Sequence, residues 1–320
     1  MNVIIHLPVY LDTPYRCGAE NGVTIRRMDK RGSSGVSAVV LGIMQDAGLP
    51  HAGCRCARCL DAFAHPERGG RAACLALVDE RTDPTRVWLI DATPDIGRQL
   101  NDLAYALGPH PHRADRLRPP DGILLTHGHM GHIGGLPQLG PEGMAVADLP
   151  VYASDGLAAV IRESAVWRPL MAGLEWRRLV AGRRFDLAPS LTITPLAVPH
   201  RDEWGAGTFA FKVEGPTQTL LYVPDIDNWE QWPEARAAVV TADVALVDAT
   251  FFSVAELGGR PPVAHPLVPD TLAFFGESAS KLALIHINHT NPLLVEDGAE
   301  RATVHRSGAT VARRGQTFSL

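Results

Sequence analysis

Apolar residues fall along this chain in short runs broken by polar turns, and most of the runs have the length of a strand. Val36 to Ile43 is nearly unbroken and predicts a buried strand. Ala73 to Val78 and Arg86 to Ile90 predict a pair joined by the polar turn Asp79-Glu80-Arg81-Thr82-Asp83-Pro84. Asp91-Ala92-Thr93-Pro94-Asp95 then predicts a helix start, with Thr93 as cap, Pro94 in the first turn, and Ile96, Leu100, Leu103 and Leu107 on one face. Gly108 to Arg118 reads as a loop closed by Pro119-Pro120. Ile123 to Leu125 and Val151 to Ser154 are strand-like, and a helix is expected from about Gly156 to Arg162.

A second series of strands follows. Leu191 to Val198 alternates, Thr208 to Val213 and Thr219 to Val223 suit a hairpin, and Val244 to Asp248 and Leu282 to Ile287 are apolar. The tail predicts a helix near Glu300 to Arg306 and short strands near Thr310-Val311 and Phe318 to Leu320. Strands dominate each half and helices separate them. The expected class is α/β, an αββα sandwich of two mixed sheets covered by helices, spanning residues 36–320. Residues 1–35 are irregular, mostly basic from Arg26 to Arg31, and end in Arg31-Gly32-Ser33-Ser34-Gly35, a flexible joint. They are expected to be an N-terminal extension.

Composition narrows the partners. The chain has 320 residues, 46% of them apolar, a formal charge of -5, and a pI near 6.2. It is long enough for a sizeable core, and nothing in that charge favours nucleic acid. No apolar run reaches membrane-spanning length. The apolar start, Met1 to Tyr10, lacks a basic leader and is interrupted by Pro8, so it is not read as a signal peptide. A cytoplasmic protein acting on a small molecule is the expectation; a homodimer is left open.

The chemistry gathers just after the apolar strands. Thr126-His127-Gly128-His129-Met130-Gly131-His132 places three histidines within six residues, and neutral imidazole is the commonest ligand for zinc-like metals. His127 and His129 share a side of an extended backbone, and His132 approaches after a turn at Gly131. His200, Asp225, Asp248 and His286 also follow strands. Some positions have a plainer reading. His200 beside Arg201-Asp202-Glu203 suits a surface salt-bridge cluster, Asp248 a structural cap, and His265 either a pocket wall or a plain loop. Asp91 could orient a ligating histidine or cap the following helix. His110, His112 and His305 are expected in solvent, and Trp167, Leu170, Met171 and Trp176 in core or pocket floor.

Five cysteines are present, Cys17, Cys54, Cys56, Cys59 and Cys74. An odd total and a tight cluster argue against a disulfide framework. Cys54-Arg55-Cys56-Ala57-Arg58-Cys59 supplies three thiols for a structural zinc, which needs a fourth ligand from elsewhere; free thiols or a redox pair are the alternatives.

The stretch His127, His129, His132 resembles the His-x-His-x-Asp-His signature of the metallo-β-lactamase superfamily, with Gly131 in the place of the aspartate. The resemblance implies that superfamily's fold. It places His200 as the third histidine of a first metal, Asp225 as a bridging aspartate and His286 as the last histidine, so that His127, His129, His132, His200, Asp225 and His286 form the active-site set. Asp225 and His286 are also the catalytic candidates, with Asp227 an alternative base. Because Gly131 removes one ligand, one tight metal and a weak or empty second site are expected. The Cys-x-Cys-x-x-Cys motif is similar to the zinc motif of the carbon–phosphorus lyase phosphodiesterase family, which pairs it with a C-terminal His-x-x-His; His286 and His289 have that spacing, and His289 becomes the fourth ligand of the structural zinc. Leu246-Val247-Asp248-Ala249-Thr250, the His265 region and Leu284 to Pro292 resemble the pyrroloquinoline quinone biosynthesis protein B family, in which the first histidine motif is degenerate while here it is kept. These resemblances imply a metallohydrolase using a metal-bound hydroxide on a phosphoester or ester, with zinc in both sites and iron or manganese as alternatives in the active site. A hydroxylase of the quinone pathway, or a non-catalytic carrier, are the competing readings. No glycine-rich flavin or nicotinamide fingerprint is present.

Overall fold

The computed structural model describes residues 35–262 and 264–320. All but the last residue of the expected N-terminal extension lies outside the described residues, as does Cys17.

In the first half, strands β1 (Val36–Gly42), β2 (Cys74–Asp79) and β3 (Arg86–Ile90) are followed by a small hairpin, β4 (Pro109–His110) with β5 (Arg113–Leu117), and then by β6 (Gly122–Leu124), β7 (Leu149–Ala153) and β8 (Leu174–Arg178). The second half supplies β9 (Phe185–Ala188), β10 (Leu191–Val198), β11 (Thr208–Glu214), β12 (Thr219–Val223), β13 (Val244–Asp248), β14 (Leu282–Ile285), β15 (Thr310–Val311) and β16 (Thr317–Ser319). One sheet has the order β16-β1-β2-β3-β6-β7-β8 and the other β15-β14-β13-β12-β11-β10-β9. In each sheet four consecutive strands are parallel and the rest antiparallel, so both are mixed.

The helices are short: α1 (Ala57–Ala64), α2 (Ile96–Asp102), α3 (Ala104–Leu107), α4 (Met130–Ile133), α5 (Asp155–Glu163), α6 (Ala235–Thr241), α7 (Val268–Phe275) and α8 (Ala299–Arg306). Among the described residues no helix is long and apolar enough to cross a membrane. Three apolar layers separate helices, sheets and helices. Side chains alternate along a strand, so Val36, Ala38 and Val40 face the layer between the sheets, with Trp88, Phe211 and Tyr222, while Val39 and Leu41 face the layer under α2, α3 and α5. The third layer joins Val223 and Val247 to Val239, Phe275 and Val304 of the later helices. The expected αββα sandwich is the observed architecture.

Local boundaries differ in places. The helix expected from Thr93 begins at Ile96 and breaks at Leu103 into α2 and α3, yet Ile96, Leu100, Leu103 and Leu107 all stay buried in one layer. Thr93 caps by another route: its hydroxyl accepts the Asp95 N–H at 3.1 Å and donates to Gln99 at 2.8 Å. The expected loop from Gly108 to Arg118 folds into β4 and β5, with His112 exposed. Trp167, Leu170 and Trp176 pack against the first layer.

Candidate metal centres

The loops that follow β3, β6, β10, β12, β13 and β14 converge on one edge of the sandwich. Rigid strands aim the side chains and the loops bring them together. His127 and His129 follow β6, and α4 then turns the chain so that His132 faces the same space. His200 follows β10, Asp225 follows β12 and His286 follows β14.

His127 Nε2 lies 2.8 Å from His129 Nδ1, and His200 Nε2 lies 3.3 Å from the same atom. Ligands held by bonds of about 2.0–2.1 Å around a tetrahedral ion are about 3.3 Å apart. The His200 side chain is fully buried, so the surface-cluster reading of that residue fails. The other nitrogen of each histidine faces an oxygen, as ligating imidazoles require. His127 Nδ1 is 3.0 Å from the Thr126 hydroxyl, His129 Nε2 is 3.0 Å from Glu203, and His200 Nδ1 is 2.8 Å from Asp227.

Asp225 links this trio to a second group. Its Oδ1 is 3.7 Å from His200 Nε2, and its Oδ2 is 3.0 Å from His132 Nε2 and 3.4 Å from His286 Nε2. His132 Nδ1 lies 2.7 Å from Asp91, and His286 Nδ1 lies 3.0 Å from the Thr250 hydroxyl. Asp91 is fully buried, and its carboxylate also accepts the Thr126 N–H and hydroxyl, which makes it an orienting group and not a helix cap. Asp46, in the loop after β1, also reaches the site: its Oδ1 is 3.7 Å from His132 Nε2.

These polar atoms do not satisfy one another. His132 Nε2, Asp225 Oδ2, His286 Nε2 and Asp46 Oδ1 are buried and make no hydrogen bond, even where two of them are 3.0 Å apart. Buried polar groups are almost always paired, and atoms that approach without sharing a hydrogen bond are aimed at a common point. That is the behaviour of a ligand set, and the residues present therefore fit a metal. The donors suit zinc, iron or manganese.

Electrostatics agree. Burial holds His127, His200 and His286 below the usual imidazole range, in the neutral form that binds metals. Burial would raise Asp225, but the imidazoles of His286, His132 and His127 hold its carboxyl far below the ordinary value. His132 is the exception. Burial disfavours its cation, but Asp91 and Asp225 raise it well above the usual range.

Asp248 and His265 stand beside the same site. Asp248 Oδ2 is 2.7 Å from His265 Nδ1 and accepts the Ile226 N–H, while Oδ1 accepts the Thr250 N–H and hydroxyl. A carboxylate with four such partners has little left to offer an ion, in keeping with the structural role expected for Asp248. His265 is not a plain loop histidine. Its ring sits 5.4 Å from that of His200 and 5.6 Å from that of His286, and it lines a cleft of ≈ 450 Å³ with Asp227, Trp229, Pro262, Leu267 and Phe274.

Four of the non-glycine residues with positive φ belong to this region: Asp46 (φ 26), Asp91 (φ 71), His265 (φ 69) and His286 (φ 60). Such backbone is unfavourable for residues with a Cβ and gathers where function demands it.

The cysteine cluster is separate. One ligand atom each from Cys54, Cys56, Cys59 and His289 lie within 4.8 Å of one another. Backbone N–H groups of Cys56, Cys59 and His51 point at the sulfurs of Cys54, Cys56 and Cys59, at 3.4, 3.4 and 3.3 Å. Arg58 donates to the His289 carbonyl, tying α1 to the loop after β14. His289 Nδ1 is buried without a partner, and burial lowers its pKa, with His51 and Arg58 adding to the effect. The set fits a closed four-ligand zinc site. Cys74 is buried away from it, in the layer under the first helices.

Comparison with known proteins bears on this geometry. Residues 86–302 match the family model described as a beta-lactamase superfamily domain. The chain is similar to coenzyme PQQ synthesis protein B of Methylorubrum populi, at 30% identity over 88% of this chain and 99% of the relative. The same protein of Cupriavidus necator is 30% identical, over 88% of this chain and 98% of the relative. Among solved structures, zinc-bound PqqB from Methylobacterium extorquens superposes with a TM-score of 0.75 at 26% identity, covering 89% of this chain and all of that one. A diphosphatase of the PhnP family shares the fold, with a TM-score of 0.62 at 21% identity over 88% of this chain and 96% of that one.

Proposed function

Because this chain belongs to the β-lactamase superfamily, and within it to the family of coenzyme PQQ synthesis protein B, we propose that it is a metal-dependent hydrolase that cleaves a small phosphoester or ester. The observation that carries the reading is the set of buried, unpartnered ligand atoms on His132, Asp225 and His286 beside the trio His127, His129 and His200. In this reading His127, His129 and His200 hold the metal, Asp225 touches both groups, and His132 and His286 belong to the second. When bound, zinc supplies a water of pKa about 7 and polarises the oxygen of the bond to be cleaved.

The chain's own residues do the rest. Asp91, Thr126 and Thr250 fix the rings of His132, His127 and His286 and so select which nitrogen faces the ion. The cleft beside His265 has the size of a small-molecule pocket. His265, gripped by Asp248 at 2.7 Å, is placed at the cleft wall to give a proton to the departing group. Cys54, Cys56, Cys59 and His289 hold a separate, structural zinc.

A second reading has its own support. The relatives are named for PQQ synthesis, and imidazole ligands suit iron as well as zinc, so a hydroxylation in that pathway would use the same ligands. Metal content of the purified protein, followed by assays on bis(p-nitrophenyl) phosphate and in an oxygen electrode, separates the two. Zinc with phosphodiester hydrolysis that is lost in His127→Ala supports the hydrolase. Iron with oxygen uptake and no hydrolysis sinks it. Metal-free protein of ordinary stability leaves only a carrier role.

A further inference from the structure

The superfamily signature has a carboxylate at the position of Gly131, and the loss of that side chain leaves the second group one ligand short. The structure shows what stands in the space. A Cβ added to Gly131 would approach Asp46 Oδ1 and Asp46 Cα closer than non-bonded heavy atoms come, and would lie 3.0 Å from Asp46 Cβ. The carboxylate of a residue 85 positions earlier occupies the ground that a side chain at residue 131 would need. We propose that Asp46 takes the ligand place left by Gly131, so that Asp46, His132, Asp225 and His286 together hold a second metal ion next to the one held by His127, His129 and His200. The inference rests on the metal-dependent reading above and deepens it from one ion to two.

Four observations carry it. One ligand atom each from Asp46, His132 and His286 lie within 4.8 Å of one another. Asp46 Oδ1 is buried and without a hydrogen-bond partner, while Oδ2 accepts from the Gln45 side chain at 3.3 Å. A surface turn carboxylate would turn both oxygens to water, because burying one unpaired costs about 1–3 kcal/mol and more when it is charged. The backbone is held for the task. The Gln45 N–H donates to the Ile287 carbonyl at 2.9 Å, and Met44 bridges to both Ala72 and Ile287, so the loop carrying Asp46 is fastened to the residue after His286. Asp46 itself sits at φ 26, an unfavourable backbone for aspartate that those fastenings maintain.

The two positions are complementary in the steric sense. Any residue with a Cβ at 131 displaces Asp46, and Asp46 can approach His132 only because residue 131 is glycine. One carboxylate has been exchanged for another that comes from a separate loop.

Zinc titration by calorimetry, with metal counted by plasma mass spectrometry, tests the proposal without an activity assay. The wild-type chain is expected to hold two zinc ions beyond the cysteine-bound one. Asp46→Asn is expected to keep the cysteine-bound zinc, which reports that the fold is intact, and to bind one of the other two at least about 100-fold more weakly, since even groups that only support ligands are worth 10- to 100-fold. The proposal is overturned if wild-type protein binds a single active-site ion, or if Asp46→Asn retains both with unchanged affinity. The hydrolase reading survives a single-ion result provided phosphodiester cleavage is seen, and it fails alone if two ions bind and nothing is hydrolysed.

Discussion

Single residues at the site divide into those that face the metal space and those that aim them. Asp91 is the clearest of the second kind: it is fully buried, touches no expected ion, and holds His132 at 2.7 Å and Thr126 at 2.8 Å. Asp91→Asn keeps the shape and removes the charge. It is expected to weaken metal binding in the His132 group by about 10- to 100-fold while the fold survives; competition with a chromophoric chelator reads this, and unchanged affinity would remove Asp91 from the orienting set. In the proposed hydrolase His265 gives the proton to the departing group. His265→Ala is expected to lower kcat by about 10²- to 10⁴-fold with metal content unchanged, the range for loss of a positioned proton donor. Histidine chemistry was legible in the sequence because three imidazoles in six residues after an apolar strand form a local pattern. Asp46 was not, because its role depends on a missing Cβ in a distant segment, and no local spacing records that.

Elements carry two further tests. Arg81, in the turn between β2 and β3, donates to both oxygens of Asp79 at 2.8 and 2.7 Å, and its backbone N–H adds a third bond at 3.0 Å. Burial alone would raise the Asp79 carboxyl; these bonds outweigh it and hold the pKa below the ordinary value. A lowered carboxyl pKa stabilises the fold above the unfolded value near ~3.9, and that contribution drains away as the pH falls from there through the folded value. Asp79→Asn is therefore expected to cost about 1.5–3 kcal/mol at neutral pH and progressively less in acid; urea melts at neutral and acidic pH check the sign, and a cost that grows toward low pH contradicts it. At the cysteine cluster, α1 is tied to the rest of the molecule through His289. His289→Ala is expected to lose one zinc and to speed hydrogen exchange in Ala57–Ala64 by roughly tenfold or more, as local opening becomes easier. Equal protection in both proteins would show that the helix does not depend on the ion. The strand series was readable because each run is short, apolar and bounded. The break between α2 and α3 was not, since the apolar face continues through it and only packing at Leu103 chooses where the chain turns.

For the whole molecule, the proposed metal ligands His127, His129, His132, His200, Asp225 and His286 come from loops after β6, β10, β12 and β14, which belong to both sheets. A bound ion therefore joins the two halves of the sandwich, and anything that binds only the folded state stabilises it by mass action. Zinc at about 100 times its dissociation constant is expected to add about 2.7 kcal/mol to unfolding. A melting temperature that does not respond to zinc in protein stripped by chelator would mean that the ligands are not brought together as described. The same joining accounts for the burial of His200, which nothing in Arg201-Asp202-Glu203 announces: the side chain turns inward because β10 ends against the histidines after β6.

The amino-acid sequence by itself determined the layers, through the two-residue alternation of strands such as β1, and it determined the kind of chemistry, because imidazoles and thiols stand in local patterns that metals require. Only the tertiary structure decided which of those groups meet. Local periodicity dictates the face on which a side chain lies, whereas the distance between Asp46 and His132 is set by how separate strands pack, and that packing is the sum of many apolar contacts that leave no mark at either residue.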